Sequence, residues 1–176
     1  MLASIPLLVT FSLGALAQPA WGPWGNGHGA PDCLNDAKVK TILDGYTYLL
    51  ESPQGADFNT TAESLLSDSF FVSSDSINTL AGYPLGVNAY PSKQAFIAGQ
   101  AQTPPIPVLQ TLGSFYSCDQ IAWRWNGSQI GSNQYEIKGI ITMDVNATTT
   151  QINAVYSEFN SGAWLSDIGN PECQKK

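Results

Sequence analysis

Apolar and polar positions alternate with one rhythm in the first half of the domain and another in the second. Val39, Ile42, Leu43, Tyr46, Leu49 and Leu50 recur at steps of three and four, the stripe of one buried helical face. Asp32 reads as its N-cap, Gly45 weakens it, and Ser52-Pro53 ends it. A second, shorter helix fits residues 61–66, with Asn59 or Thr60 near its start, and Phe70-Phe71-Val72 reads as a short strand. Residues 73–90 carry Gly82, Pro84 and Gly86 and read as a loop. Ser92 caps a third helix through Phe96 and Ile97, closed by Gly99. After Pro104-Pro105-Ile106-Pro107 the period falls to two, and residues 108–116, 120–126, 134–145 and 151–160 predict four strands separated by Asn, Gly, Ser and Thr turns. Helices first and an antiparallel meander afterwards mean one α+β domain.

The ends of the chain follow neither rhythm. Residues 1–17 hold no Lys, Arg, Asp or Glu, and an apolar run from Ile5 to Leu13 leads to Ala15-Leu16-Ala17, a small-x-small cleavage site. That is a secretory signal, too short to span a bilayer. Residues 18–32 form a Gly/Pro-rich leader holding Trp21 and Trp24, residues 33–169 the folded domain, and residues 170–176 a tail. Sequons at Asn59, Asn126 and Asn146 agree with a secreted, extracellular glycoprotein, and the last two are expected to flank turns.

Charge narrows the partners. Fourteen acids against seven bases give a net charge of −7, and Arg124 is the one arginine, so a phosphate backbone is repelled and nucleic acid is excluded as a partner. There is no basic membrane-surface patch and no membrane span. Cys33, Cys118 and Cys173 are an odd number for an oxidising compartment. Cys33 opens the first helical segment and Cys118 follows the first long strand, so these two are expected to pair. Cys173 could replace either, stay free, or link two chains. Three scattered Cys and one His lack any metal-ligand spacing, and no metal or other cofactor is expected.

The element order, with Ser76-Ile77-Asn78-Thr79-Leu80-Ala81-Gly82-Tyr83-Pro84-Leu85-Gly86, Pro91-Ser92-Lys93-Gln94, Ile121-Ala122-Trp123-Arg124-Trp125 and Tyr156-Ser157-Glu158-Phe159-Asn160-Ser161-Gly162-Ala163-Trp164, resembles the NTF2-like superfamily, in particular its secreted fungal members. The resemblance covers residues 33–169. It implies a cone in which three amino-terminal helices pack on a strongly curved, mainly antiparallel sheet. Cones of this kind hold small apolar ligands in scytalone dehydratase, ketosteroid isomerase and SnoaL-type polyketide cyclases, and serve as binding or docking modules elsewhere.

Enzymes on this fold rely on an Asp/His pair or on an Asp with Tyr donors. The single histidine, His28, lies in the leader, so no histidine base can be placed in the cone. Strand parity puts Tyr156, Glu158 and Asn160 on one face of the last strand and Val155, Ser157 and Phe159 on the other, while Arg124 faces away from Trp123 and Trp125. If Arg124 and Glu158 point inward, they pair across the intervening strand. The expected catalytic set is Glu158 or Asp75 as base with Tyr83 or Tyr156 as donor. Arg124, Tyr156, Asn160, Trp123 and Trp125 are the expected ligand contacts, and Trp164 plugs the end of the sheet. Two functions follow: a secreted protein that holds a small apolar molecule or acts through its surface, and a cofactor-free cyclase, isomerase or dehydratase of a polyketide- or terpenoid-like metabolite. A homodimer through the sheet face is the expected assembly.

Overall fold

The computed structural model describes residues 32–173. The signal segment and the leader up to Pro31, His28, Trp21 and Trp24 among them, lie outside the described residues, as do the last three positions. Helix α1 (Asp36–Glu51) starts one turn later than expected, because Asn35 rather than Asp32 caps it, accepting from Lys38 N at 3.0 Å. Its stripe of Val39, Ile42, Leu43, Tyr46 and Leu49 is buried. Helix α2 (Phe58–Leu65) runs directly into strand β1 (Leu66–Ser73). Residues 75–81, read as loop, are helix α3 (Asp75–Ala81). Ser74 caps it by accepting from Ile77 N, and Gly82 ends it at φ 69°, the left-handed geometry glycine tolerates. Strand β2 (Asn88–Tyr90) and helix α4 (Lys93–Gln100) follow, the latter capped by Ser92. Buried Lys93 ties α4 to α2 and β1 through Glu63 at 2.8 Å and Asp68 at 2.9 Å.

The four long strands fall where the period of two places them: β3 (Val108–Tyr116), β4 (Gln120–Ser128), β5 (Ile137–Asn146) and β6 (Gln151–Phe159). Helix α5 (Ser161–Asp167) and a short 3-10 turn at Pro171–Cys173 close the domain. One sheet runs β2-β1-β6-β5-β4-β3, antiparallel throughout except that β1 pairs parallel with β6. Register shifts in β1, β3 and β5 are the irregularities that bend such a sheet. The helices cover its concave face, where Trp123, Ile141, Met143 and Val155 join Ile42, Leu49 and Phe96 in the core.

Cys33 and Cys118 form the disulfide, and Leu34 N donates to Cys118 O beside it. Closing a loop of 85 residues is worth about 4.6 kcal/mol in the chain-entropy account. Cys173 is the free cysteine. The segment before it is tied down rather than frayed: Asn170 N donates to Leu165 O, and Ser166 Oγ donates to Cys173 O at 2.6 Å. No helix among the described residues is long and apolar enough to cross a membrane.

Candidate ligand-binding cavity

The cone encloses a cavity of about 910 Å³, bounded by α1, α3, α4 and α5 and by the concave side of the sheet. That volume lies at the upper end of the range for small-molecule sites. Two groups of rings face it. On the helical side, Phe96 stacks on Tyr46 with centroids 6.1 Å apart and meets Tyr90 edge-on at 5.4 Å. On the sheet side, Phe159 lies between Trp125, at 5.8 Å, and Trp164, at 5.2 Å. Gly139 makes room for this second group, since a Cβ there would come within 2.5 Å of the Trp125 ring and 2.8 Å of Phe159. The Trp125 Nε1 is buried without a hydrogen-bond partner.

Few polar groups reach the lining. Ser157 is the polar member of the inward face of β6, between Val155 and Phe159. Tyr46 is 3% exposed, and burial, with the nearby Tyr90, pushes its phenol well above its usual pKa. Tyr90 is raised for the same first reason, with hydrogen bonds from Thr103 and Gln100 acting in the opposite direction. Both phenols therefore stay protonated and remain donors at ordinary pH. Asp167 is the carboxylate on the lining, and it is already occupied. Its Oδ1 accepts from Gln134 N at 2.9 Å and Ser132 Oγ at 3.2 Å, and its Oδ2 from Tyr135 N at 3.3 Å, which fixes the β4–β5 loop over the rim.

The residues singled out from the sequence divide between the two sides of the sheet. Trp125 lines the cavity. Trp123 is fully buried in the core beside it, its Nε1 donating to Thr111 Oγ1 at 3.0 Å. Arg124, Tyr156 and Glu158 are exposed on the outer face, so the period of two holds and the polar set of each strand faces away from the cavity. Arg124 and Glu158 do occupy one cross-strand row, each facing Ile140 in the register, but Glu158 is held elsewhere. Its carboxylate accepts from Asp75 N at 2.9 Å, Ser76 N at 3.0 Å and Ser76 Oγ, which binds the first turn of α3 to β6. Asp75 is exposed, and its Oδ1 accepts from Gly86 N at 2.7 Å, shaping the α3–β2 loop. Tyr83 is 56% exposed on that loop, and Asn160 caps α5 by accepting from Ala163 N. None of Glu158, Asp75, Tyr83, Arg124, Tyr156 or Asn160 belongs to the lining.

Sequence reasoning passed over Tyr46, Tyr90, Gln100, Ser157 and Asp167. The signal for Ser157 was available as the single hydroxyl on an otherwise apolar parity face, and that for Tyr46 as a phenol inside a buried stripe. Of the sequons, Asn59 and Asn146 are exposed, on α2 and at the β5–β6 turn. Asn126 does not flank a turn. It is buried within β4, and its Oδ1 has no partner. Among the described residues no group of three His, Cys, Asp or Glu side chains could hold a metal ion.

The NTF2-like domain profile matches residues 32–171. A search of curated proteins returned no match. Solved structures of similar fold include a loop-truncation variant of IdmH, with TM-score 0.56 and 15% identity, covering 73% of this chain and 99% of the other. A SnoaL-like protein of unknown function from Burkholderia thailandensis E264 aligns with TM-score 0.52 and 13% identity, over 73% and 98% of the two chains. A protein with a ketosteroid isomerase-like fold from Catenulispora acidiphila DSM 44928, crystallised with trimethylamine, aligns with TM-score 0.53 and 11% identity, over 76% and 98%. At these identities the likeness is one of fold.

Proposed function

The chain belongs to the NTF2-like domain family, and from that premise we propose that it is an exported protein holding a small apolar molecule in its cone. The observation that carries this reading is the cavity itself: about 910 Å³ between two groups of aromatic rings, with Asp167, the one carboxylate on the lining among the described residues, committed to the loop at the rim. Export draws its support from the apolar amino-terminal segment with its Ala-Leu-Ala site, from the exposed sequons at Asn59 and Asn146, and from the Cys33–Cys118 disulfide. Proton-transfer chemistry would need an available base within reach of the substrate. Glu158 is exposed on the outer face of the sheet, Asp75 is exposed at the start of α3, and neither borders the cavity; both carboxylates accept from backbone N–H groups, which weighs against the cyclase, isomerase or dehydratase reading. For the sheet-face homodimer, the side chains offered are Phe115, Ile140 and Tyr156, all exposed on the outer face.

Solvent extraction and mass spectrometry of protein purified from culture medium test the central claim. The expected result is a stoichiometric apolar metabolite, together with an intact mass that falls on deglycosylation. Protein that is retained in the cell and carries no extractable molecule would refute the reading.

A further inference from the structure

The residues around the opening of the cavity are uncharged. Lining residues that are also exposed mark that opening: Ala81 at the end of α3, Pro104, Pro105 and Pro107 between α4 and β3, and Ile168 after α5, which is 54% exposed. No exposed member of the lining carries a charge. Between Asp75 and Asp119 the chain holds one charged side chain, Lys93, and that one is buried and paired with Glu63 and Asp68. The α3–β2 loop leaves directly from Ala81 and presents Tyr83, Leu85 and Val87 to solvent, Leu85 at 65% exposure. Apolar side chains exposed singly are ordinary, but three on one short loop beside a cavity opening mark a surface that meets something.

The fold holds this loop in place. Tyr83 N donates to Asn78 O at 2.9 Å, Gly86 N to Asp75 Oδ1 at 2.7 Å, and Asn78 Nδ2 to Val87 O at 2.8 Å. Three polar groups of the loop backbone are thus bonded to α3, so the loop can leave water without stranding them. The charge balance narrows what it meets. A chain of net charge −7, with the Asp75 carboxylate bonded to the loop itself, is repelled by an anionic surface. A phenol among aliphatic side chains suits the boundary between lipid headgroups and acyl chains. An apolar molecule enters an apolar cavity without crossing water only where the opening meets an apolar phase. We propose that the lip formed by Tyr83, Leu85 and Val87, with Ile168 at the opening beside it, seats on an uncharged lipid surface, and that the cavity is filled from that surface. The filling step rests on the cavity-binding reading above; the docking does not.

Flotation of the mature protein with phosphatidylcholine vesicles tests the docking. The parent is expected to float with the vesicles, and adding phosphatidylglycerol to them should reduce the bound fraction. Leu85→Asp and Val87→Asp should each lower the partition coefficient about tenfold, since a carboxylate replaces an apolar side chain entering the interface. Leu112→Asp, at an exposed leucine of β3 outside the lining, should leave it unchanged. All three positions are exposed, so melting temperatures should stay with the parent. No flotation of the parent, or flotation insensitive to both loop variants, would overturn the lip. Tighter binding to the phosphatidylglycerol vesicles would overturn the uncharged surface, and a Leu85-dependent dimer without flotation would assign the lip to a second copy. The filling step is read by stopped flow with N-phenyl-1-naphthylamine, a neutral fluorescent probe of apolar sites, carried in vesicles that contain a quencher lipid. Transfer to the parent should speed up with vesicle concentration and slow in Leu85→Asp in step with its partition, while affinity for the probe in vesicle-free buffer stays the same in both. An unchanged transfer rate would overturn filling through the lip. If the probe does not bind in vesicle-free buffer, the cavity-binding reading fails, and flotation decides the docking separately.

Discussion

The two faces of the sheet use the same strands for opposite purposes. On the inner face Trp125, Ile141, Ser157 and Phe159 border a space where, among the described residues, Asp167 is the one charged side chain and is committed to the loop at the rim. On the outer face Arg124, Lys138 and Glu158 are exposed, and ionisable groups there hold backbone in place, as Glu158 holds α3. Asp167, at the rim, belongs to the second kind although it borders the cavity. The comparison teaches that Asp75, Glu158 and Asp167 each hold backbone N–H groups of a loop or helix start in place. A carboxylate recognised in the sequence is not by that fact a candidate base.

The largest expected effect is on the inner face. Trp125→Ala should destabilise the protein by about 3–5 kcal/mol, the usual range for emptying an aromatic core position, and should weaken apolar probe binding. Urea unfolding measures it, and a loss below about 1 kcal/mol would mean the ring is not part of the packed wall. Asp167→Ala should cost about 2–3 kcal/mol, because the N–H groups of Gln134 and Tyr135 lose their acceptor. Hydrogen exchange in the β4–β5 loop should rise selectively, and uniform exchange would contradict the fastening role. On the outer face Glu158→Gln should cost only about 1 kcal/mol, the scale of a weakened helix cap. Adding Arg124→Met should restore nothing, because the two residues are not an ion pair. Recovery of stability in the double variant would show that Arg124 and Glu158 are coupled after all. Activity or binding lost in Glu158→Gln with an unchanged melting temperature would break the division between the faces.

The smallest effect is on pH dependence. Tyr46 has a folded-state pKa raised above its usual value of 10.0, so the unfolded chain ionises first. Its contribution to stability is full below pH 10 and declines as pH rises from there through the folded value. Melting temperature should therefore fall above pH 10 more steeply in the parent than in Tyr46→Phe, and parallel curves would contradict the burial of the phenol.

The sequence carried some of this more clearly than the rest. The meander of β3, β4, β5 and β6 was legible because a period of two over nine residues leaves little choice, and the α1 stripe was legible at a period near four. Helix α3 was hidden because seven residues hold too few turns for a periodic face, and Gly82, Pro84 and Gly86 follow at once. The Ser74 cap was the one available sign. The parallel pairing of β1 with β6 left no local trace, since it joins Leu66 to Ile152 and depends on chain path rather than on any pattern within a strand. Parity sorted Tyr156 and Glu158 from Ser157 and Phe159 correctly. Parity alone does not say which set faces the cavity, and placing polar residues in a reactive interior reverses them. Burial decided otherwise, because the face the helices cover is the apolar one.

The strand order has a consequence for how the protein is made. β6 is the last strand to be synthesised, yet it lies between β1 and β5 in the finished sheet. Until it arrives, β1 with β2 and the β3–β4–β5 meander are two separate pieces, and pairing them waits on contacts far apart in the chain, a slow class of folding step. Both cysteines of the disulfide precede β6, so the ribosome delivers the covalent tie before the strand that unites the sheet. Ser157 and Phe159 ride on that strand. Completing the sheet therefore supplies one wall of the cavity, and α5, which follows β6 directly and carries Trp164 and Asp167, supplies the next.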